Sequence, residues 1–172
     1  MSLHTQYIAT YRSRFDTLNG LLSKAEAHEK GDDLLKARLA EDMHPLSTQV
    51  RFVTNIPGEA LARLGIREFA SSDAEIASLA EAKAMVAERS AMLDAITATD
   101  LPEPETPVEF SIGDGAFNFA LTADEYFREF SLPNFYFHLS IAYAILRKEG
   151  LEIGKADFIP HMARYFKAPA AV

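Results

Sequence analysis

The chain has 172 residues, 48% of them hydrophobic, enough for one domain with a sizeable core and cramped for two. A formal net charge of -8 and a pI near 5.1 leave no broad cationic surface to neutralise phosphates, which argues against nucleic acid as a partner. The absence of cysteine excludes disulfides, thiolate metal ligands and cysteine nucleophiles, and it fits a cytoplasmic protein.

The opening Met1-Ser2-Leu3-His4-Thr5-Gln6-Tyr7 lacks the cationic start and apolar run of an export signal. No stretch approaches the roughly 20 apolar residues of a membrane-spanning helix, so no membrane partner is expected. Tyr7, Tyr11, Phe15, Leu18, Leu22 and Ala25 recur every three or four residues, which gathers them on one face of a helix that ends at Gly31-Asp32. Asp32 to Ala40 reads as a short connecting helix with an Asp cap. A second long helix starts at Pro45 and runs to Leu64 before Gly65, with Pro57 expected to kink or interrupt it. Ser72 and Glu75 form a capping-box pattern that predicts the start of a third helix, carrying Ile76, Leu79, Val86, Leu93 and Ile96.

Asp100 to Pro107 holds three prolines and two glutamates and reads as an extended, solvated connection. The period then changes. Val108, Phe110 and Ile112 alternate with polar residues, Gly113-Asp114-Gly115 supplies a turn, and Phe117, Phe119 and Leu121 alternate again, which is the pattern of a β-hairpin with one apolar face. Two strands alone are marginally stable, so that face must pack on the helices. Thr122-Ala123-Asp124-Glu125 is another capping box. Leu132 precedes a proline and is biased toward extended backbone, so a short helix to about Ser131 and a separate one from Pro133 to Lys148 are expected, stopped by Gly150. Ile153, Phe158, Ile159, Met162, Tyr165 and Phe166 predict a docked tail over about 151–167, with the last five residues frayed. The sum is a mainly α, up-and-down type bundle with a small inserted hairpin at about 107–121, all within a single domain over 1–172.

In such a bundle the inward-facing polar residues are the place to look for chemistry. His138 shares a helix face with Asn134, Phe135, Ile141, Ala142 and Ile145. It reads either as a metal ligand or general acid/base, or as a core histidine bonded to a buried group; pattern alone favours the second. His44, just before the second helix, has the same two readings, with Asp42 and Gln49 within reach as oxygen donors or as capping residues. A histidine metal site needs three converging ligands, often two of them four residues apart on a helix. No HxxxH occurs, and His4, His28 and His161 are dispersed. Gly150-Leu151-Glu152-Ile153-Gly154-Lys155-Ala156 imitates a phosphate loop but is one residue short, lacks the final Ser or Thr and follows a helix. The aromatics Phe135, Tyr136 and Phe137 cover several faces, as in a buried helix or, more sharply, around a ligand pocket.

The run Arg38-Leu39-Ala40-Glu41-Asp42-Met43-His44-Pro45-Leu46 with Gln49, then Leu132-Pro133-Asn134-Phe135-Tyr136-Phe137-His138, Ala142-Tyr143, Leu146-Arg147 and Gly154-Lys155-Ala156-Asp157-Phe158, resembles an uncharacterised bacterial family of the DinB/YfiT-like superfamily. The likeness spans nearly the whole chain. It implies a four-helix bundle, frequently a homodimer, near metal-dependent thiol transferases and hydrolases whose metal is held by one His on the second helix and two on the last. Carried over, His138 fills one slot, Asn134 or Ala142 stands in the other position on that helix, and His44 is nearest the second-helix slot. The resemblance thus implies a zinc or nickel enzyme using His138 and His44, or a protein with a degenerate metal site that acts as a small-molecule-binding or stress-associated module. In the second case His138, Asn134, Tyr136, Gln49 and Asp42 would line the ligand pocket.

Overall fold

The computed structural model describes residues 2–167; the five residues expected to fray lie outside them. Four long helices make the bundle: α1 (Ala9–Glu26), preceded by a π-helical turn at His4–Ile8, then α2 (Leu46–Arg63), α3 (Leu79–Asp94) and, after the hairpin, α5 (Leu132–Lys148). Strands β1 (Pro107–Ile112) and β2 (Phe117–Thr122) pair antiparallel with Val108 opposite Leu121 and Phe110 opposite Phe119. A single turn, α4 (Ala123–Glu125), leads from the hairpin into α5, and a short α6 (Lys155–Phe158) follows it.

The helices do not pack in chain order. α1 lies against α3 and α5, and α2 also lies against α3 and α5, so α1 and α2 sit diagonally across the bundle and not side by side as an up-and-down path would have them. The linker between them is long enough for the crossing and contains a 3-10 turn at Gly31–Lys36 where a connecting helix was expected. Asp32 does cap a helix, though a distant one: its Oδ1 accepts the N–H of Leu79 at the first turn of α3, 2.7 Å away.

α3 begins six residues later than Ser72 predicts, at Leu79. Its cap is Ser78, whose Oγ accepts from the N–H of Glu81 while the Glu81 carboxylate accepts from the N–H of Ala77. The Ser72 signal loses to tertiary bonds. Buried Asn55 clamps the Ser72 backbone at both its N–H and its carbonyl, Arg51 donates to the Asp73 carbonyl, and Ile76 is buried, so this segment runs extended along α2. Pro57 lies inside α2, which continues through it, and the capping box at Thr122 and Glu125 forms as expected.

Pro133 does not break the chain either. Leu132 is helical (φ -66, ψ -45) despite the proline that follows, because Tyr126–Ser131 forms a π-helical stretch that joins α4 to α5. A π turn shifts the hydrogen-bond pattern by one residue, which accommodates a position with no N–H to donate. Inside, Tyr11, Phe15, Phe127 and Phe135 make one aromatic cluster between α1 and α5, with Tyr11 and Phe135 edge-to-face at 5.0 Å. The hairpin lays Phe110 on Tyr126 and Phe130, with the Arg63 guanidinium 4.7 Å above the Phe110 ring. The tail is anchored by buried Leu151 and Ile153, whereas Met162, Tyr165 and Phe166 stay exposed. Among the described residues no helix is long and apolar enough to cross a membrane.

Candidate functional site

α2 packs more extensively on α5 than on any other helix, and this seam brings together residues 89 positions apart. Gln49 sits in the first turn of α2, fully buried, and His138 sits in the middle of α5, partly buried. The Gln49 Oε1 lies 2.8 Å from His138 Nδ1, and its Nε2 donates to the His44 carbonyl at 3.2 Å. Phe52, one turn beyond Gln49, puts its ring 4.6 Å from that of His138 and 5.5 Å from that of His44. Phe137 flanks His138 at 5.2 Å and is itself exposed.

His138 is held neutral. Burial, and then the charge of nearby His44, push its pKa down to about 4, because a partly desolvated imidazolium beside a second histidine is doubly disfavoured. Its other nitrogen, Nε2, makes no hydrogen bond among the described residues and is not sealed from solvent. The niche therefore offers one unspent ring nitrogen against aromatic walls.

The predicted site residues divide. Gln49, His138 and His44 converge, and Asn134 lies one turn before His138 on the same face of α5, partly buried. Asp42 is exposed and joins neither histidine. Tyr136 faces the opposite seam, where its hydroxyl accepts from Arg14 Nε at 2.9 Å; Arg14 in turn contacts His161 of the tail at 2.7 Å. Reading the sequence missed Phe52, whose place between two histidines has no local signature, and missed the Arg14, Tyr136 and His161 cluster, which joins three remote segments.

A catalytic metal centre of the superfamily kind requires three converging protein donors. Among the described residues no group of three His, Cys, Asp or Glu side chains is so arranged, and the niche supplies two histidines and an amide already engaged at both ends. This donor set does not fit a three-ligand metal.

The Gly150–Ala156 segment holds no phosphate loop: Gly150 terminates α5 with φ +102, and Gly154 caps α6, its N–H donating to Asp157.

Comparison with known proteins agrees with this architecture. No curated protein matches the chain. A crystal structure of a DinB family member protein from Shewanella denitrificans is similar to it with a TM-score of 0.80 and 29% sequence identity, covering 97% of this chain and 96% of that one. The sequence model described as "Domain of unknown function (DUF1993)" matches residues 3–159. With the diagonal four-helix bundle, the hairpin and the α2–α5 niche in place, the chain belongs to the DUF1993 family, an uncharacterised group with the DinB fold.

Proposed function

We propose that this protein is a small-molecule-binding module on a DinB scaffold, its binding residues occupying the place of a degenerate metal site. The observation that carries the reading is the hydrogen-bond chain from the His44 carbonyl through buried Gln49 to His138, which ends in an open Nε2. A buried amide satisfied at both ends orients a ring rigidly, and a rigid polar atom set among apolar walls is how small-ligand sites obtain selectivity. Phe52 and Phe137 supply the walls, with Asn134 a second polar anchor.

The reading is tested by titrating the full chain, free of metal, with a panel of small aromatic and aliphatic molecules while following the His138 ring resonances. Saturable shifts at His138, with binding of the same molecule lost in His138→Ala as read by calorimetry, support it. A panel that leaves these resonances unmoved defeats it.

One observation favours a second reading, a metal-dependent thiol transferase or hydrolase using His138 and His44. Metal-ligating histidines typically have their other ring nitrogen held by an oxygen, as Gln49 holds Nδ1 here. Water or substrate would then have to complete the coordination. Metal analysis of untagged protein separates the two: stoichiometric zinc or nickel that is lost in both His44→Ala and His138→Ala replaces the first reading with the second.

A further inference from the structure

Gln49 has one usable orientation. Its Nε2 donates to the His44 carbonyl, and turning the amide over would bring Oε1 against that carbonyl, two acceptors face to face. Oε1 is therefore the atom on His138. An amide oxygen has no proton to give, so it accepts from Nδ1–H at 2.8 Å. A neutral imidazole carries a single N–H, so its lone pair sits on Nε2, the nitrogen that reaches solvent. The two rings beside it, Phe52 and Phe137 at 4.6 and 5.2 Å, add no competing donor.

We infer that Gln49 is a positioning residue that holds His138 as a hydrogen-bond acceptor at Nε2, so that the niche takes neutral or cationic molecules presenting an N–H or O–H donor on an apolar frame and rejects acceptor-only anions. The inference rests on the binding reading above and adds the class of ligand. Two facts support the exclusion of anions. An anion has nothing to offer a lone pair, and a chain of net charge -8 does not attract one.

The test uses the full chain, stripped of metal, at neutral pH, with long-range proton–nitrogen spectra of the His138 ring and three probes: indole, N-methylindole and benzoate. Expected is the Nδ1–H tautomer, an indole-dependent shift at Nε2, binding of N-methylindole about fivefold to tenfold weaker, as for one neutral hydrogen bond, and no effect of benzoate. Gln49→Leu should mix the tautomers and abolish the preference for indole over N-methylindole. Gln49→Glu, which keeps an oxygen on Nδ1–H, should restore the Nδ1–H tautomer, at a cost in stability from the second oxygen now set against the His44 carbonyl. A merely structural glutamine would leave the tautomer untouched in all three proteins. An Nε2–H tautomer in the wild type, or benzoate binding as tightly as indole, overturns the inference and leaves the binding reading standing. If no probe moves His138, both fall. Should Gln49→Leu not fold, the wild-type spectrum and the probe series decide on their own.

Discussion

α5 has two seams of opposite character. Toward α1 it is sealed: Phe135 and Tyr11 are inaccessible to solvent, and the Tyr11 hydroxyl is bonded to Ser131 at 2.7 Å, so each polar atom there is consumed by another. Toward α2 the same helix places His138, whose bond to Gln49 ends a chain that stops at an open nitrogen. A buried polar pair that closes on itself serves the fold. One that ends at the surface leaves a hydrogen-bonding capacity for something else, and this contrast is what marks the α2–α5 niche as the place for function.

The largest expected effect lies in the sealed seam. Phe135→Ala should lower stability by about 3–5 kcal/mol, through lost burial and the cavity left against Tyr11 and Phe15, as read from denaturant midpoints. A cost under 1 kcal/mol would mean that this seam is not the core.

The open seam should instead show itself through pH. The folded-state pKa of His138, about 4, lies below the ordinary 6.5, so the unfolded chain binds the extra proton more readily. The stabilisation is complete above pH 6.5 and is lost as the pH falls toward 4. After allowance for solvent at the partly exposed ring, the loss is about 2 kcal/mol. His138→Gln should flatten this part of the stability profile. The burial-depressed His161, which titrates in the same direction, remains as the internal control. An unchanged slope in the variant would erase the distinction between the seams.

Tyr11→Phe comes next. It removes one of the two partners of the Ser131 hydroxyl in the sealed seam, Tyr126 being the other, and should cost about 1 kcal/mol, while leaving the His138 resonances unmoved. Movement at His138 would show the seams to be coupled. Smallest of all is Phe137→Ser, expected to stay within about 0.5 kcal/mol of wild type because the ring is 55% exposed, yet to weaken any ligand that shifts His138. Unaltered affinity would remove Phe137 from the wall of the niche.

Much of this was legible along the chain because its causes are local. The three-to-four spacing from Tyr7 to Ala25 builds α1, the alternation around Gly113-Asp114-Gly115 builds the hairpin, Thr122 and Glu125 cap the turn after it, and Gly150 ends α5 in a left-handed conformation. His138 was also visible as the histidine on an apolar face. Signals that competed with distant bonds were misleading. Ser72 and Glu75 have the form of a cap, but Asn55 holds the Ser72 backbone extended, and Pro133 reads as a break, but the π turn before it keeps the chain helical.

Sequence by itself determined the four long helices and the hairpin, because helical periodicity, strand alternation and capping are interactions among residues a few positions apart. Only the tertiary structure decided that α1 and α2 lie diagonally, that Tyr136 turns away from His138 toward Arg14, and that Gln49 meets His138 across 89 residues. A hydrogen bond between remote side chains leaves no periodic trace in either segment. The protonation pattern of His138, and with it the chemistry of the niche, comes into being only when α2 and α5 pack.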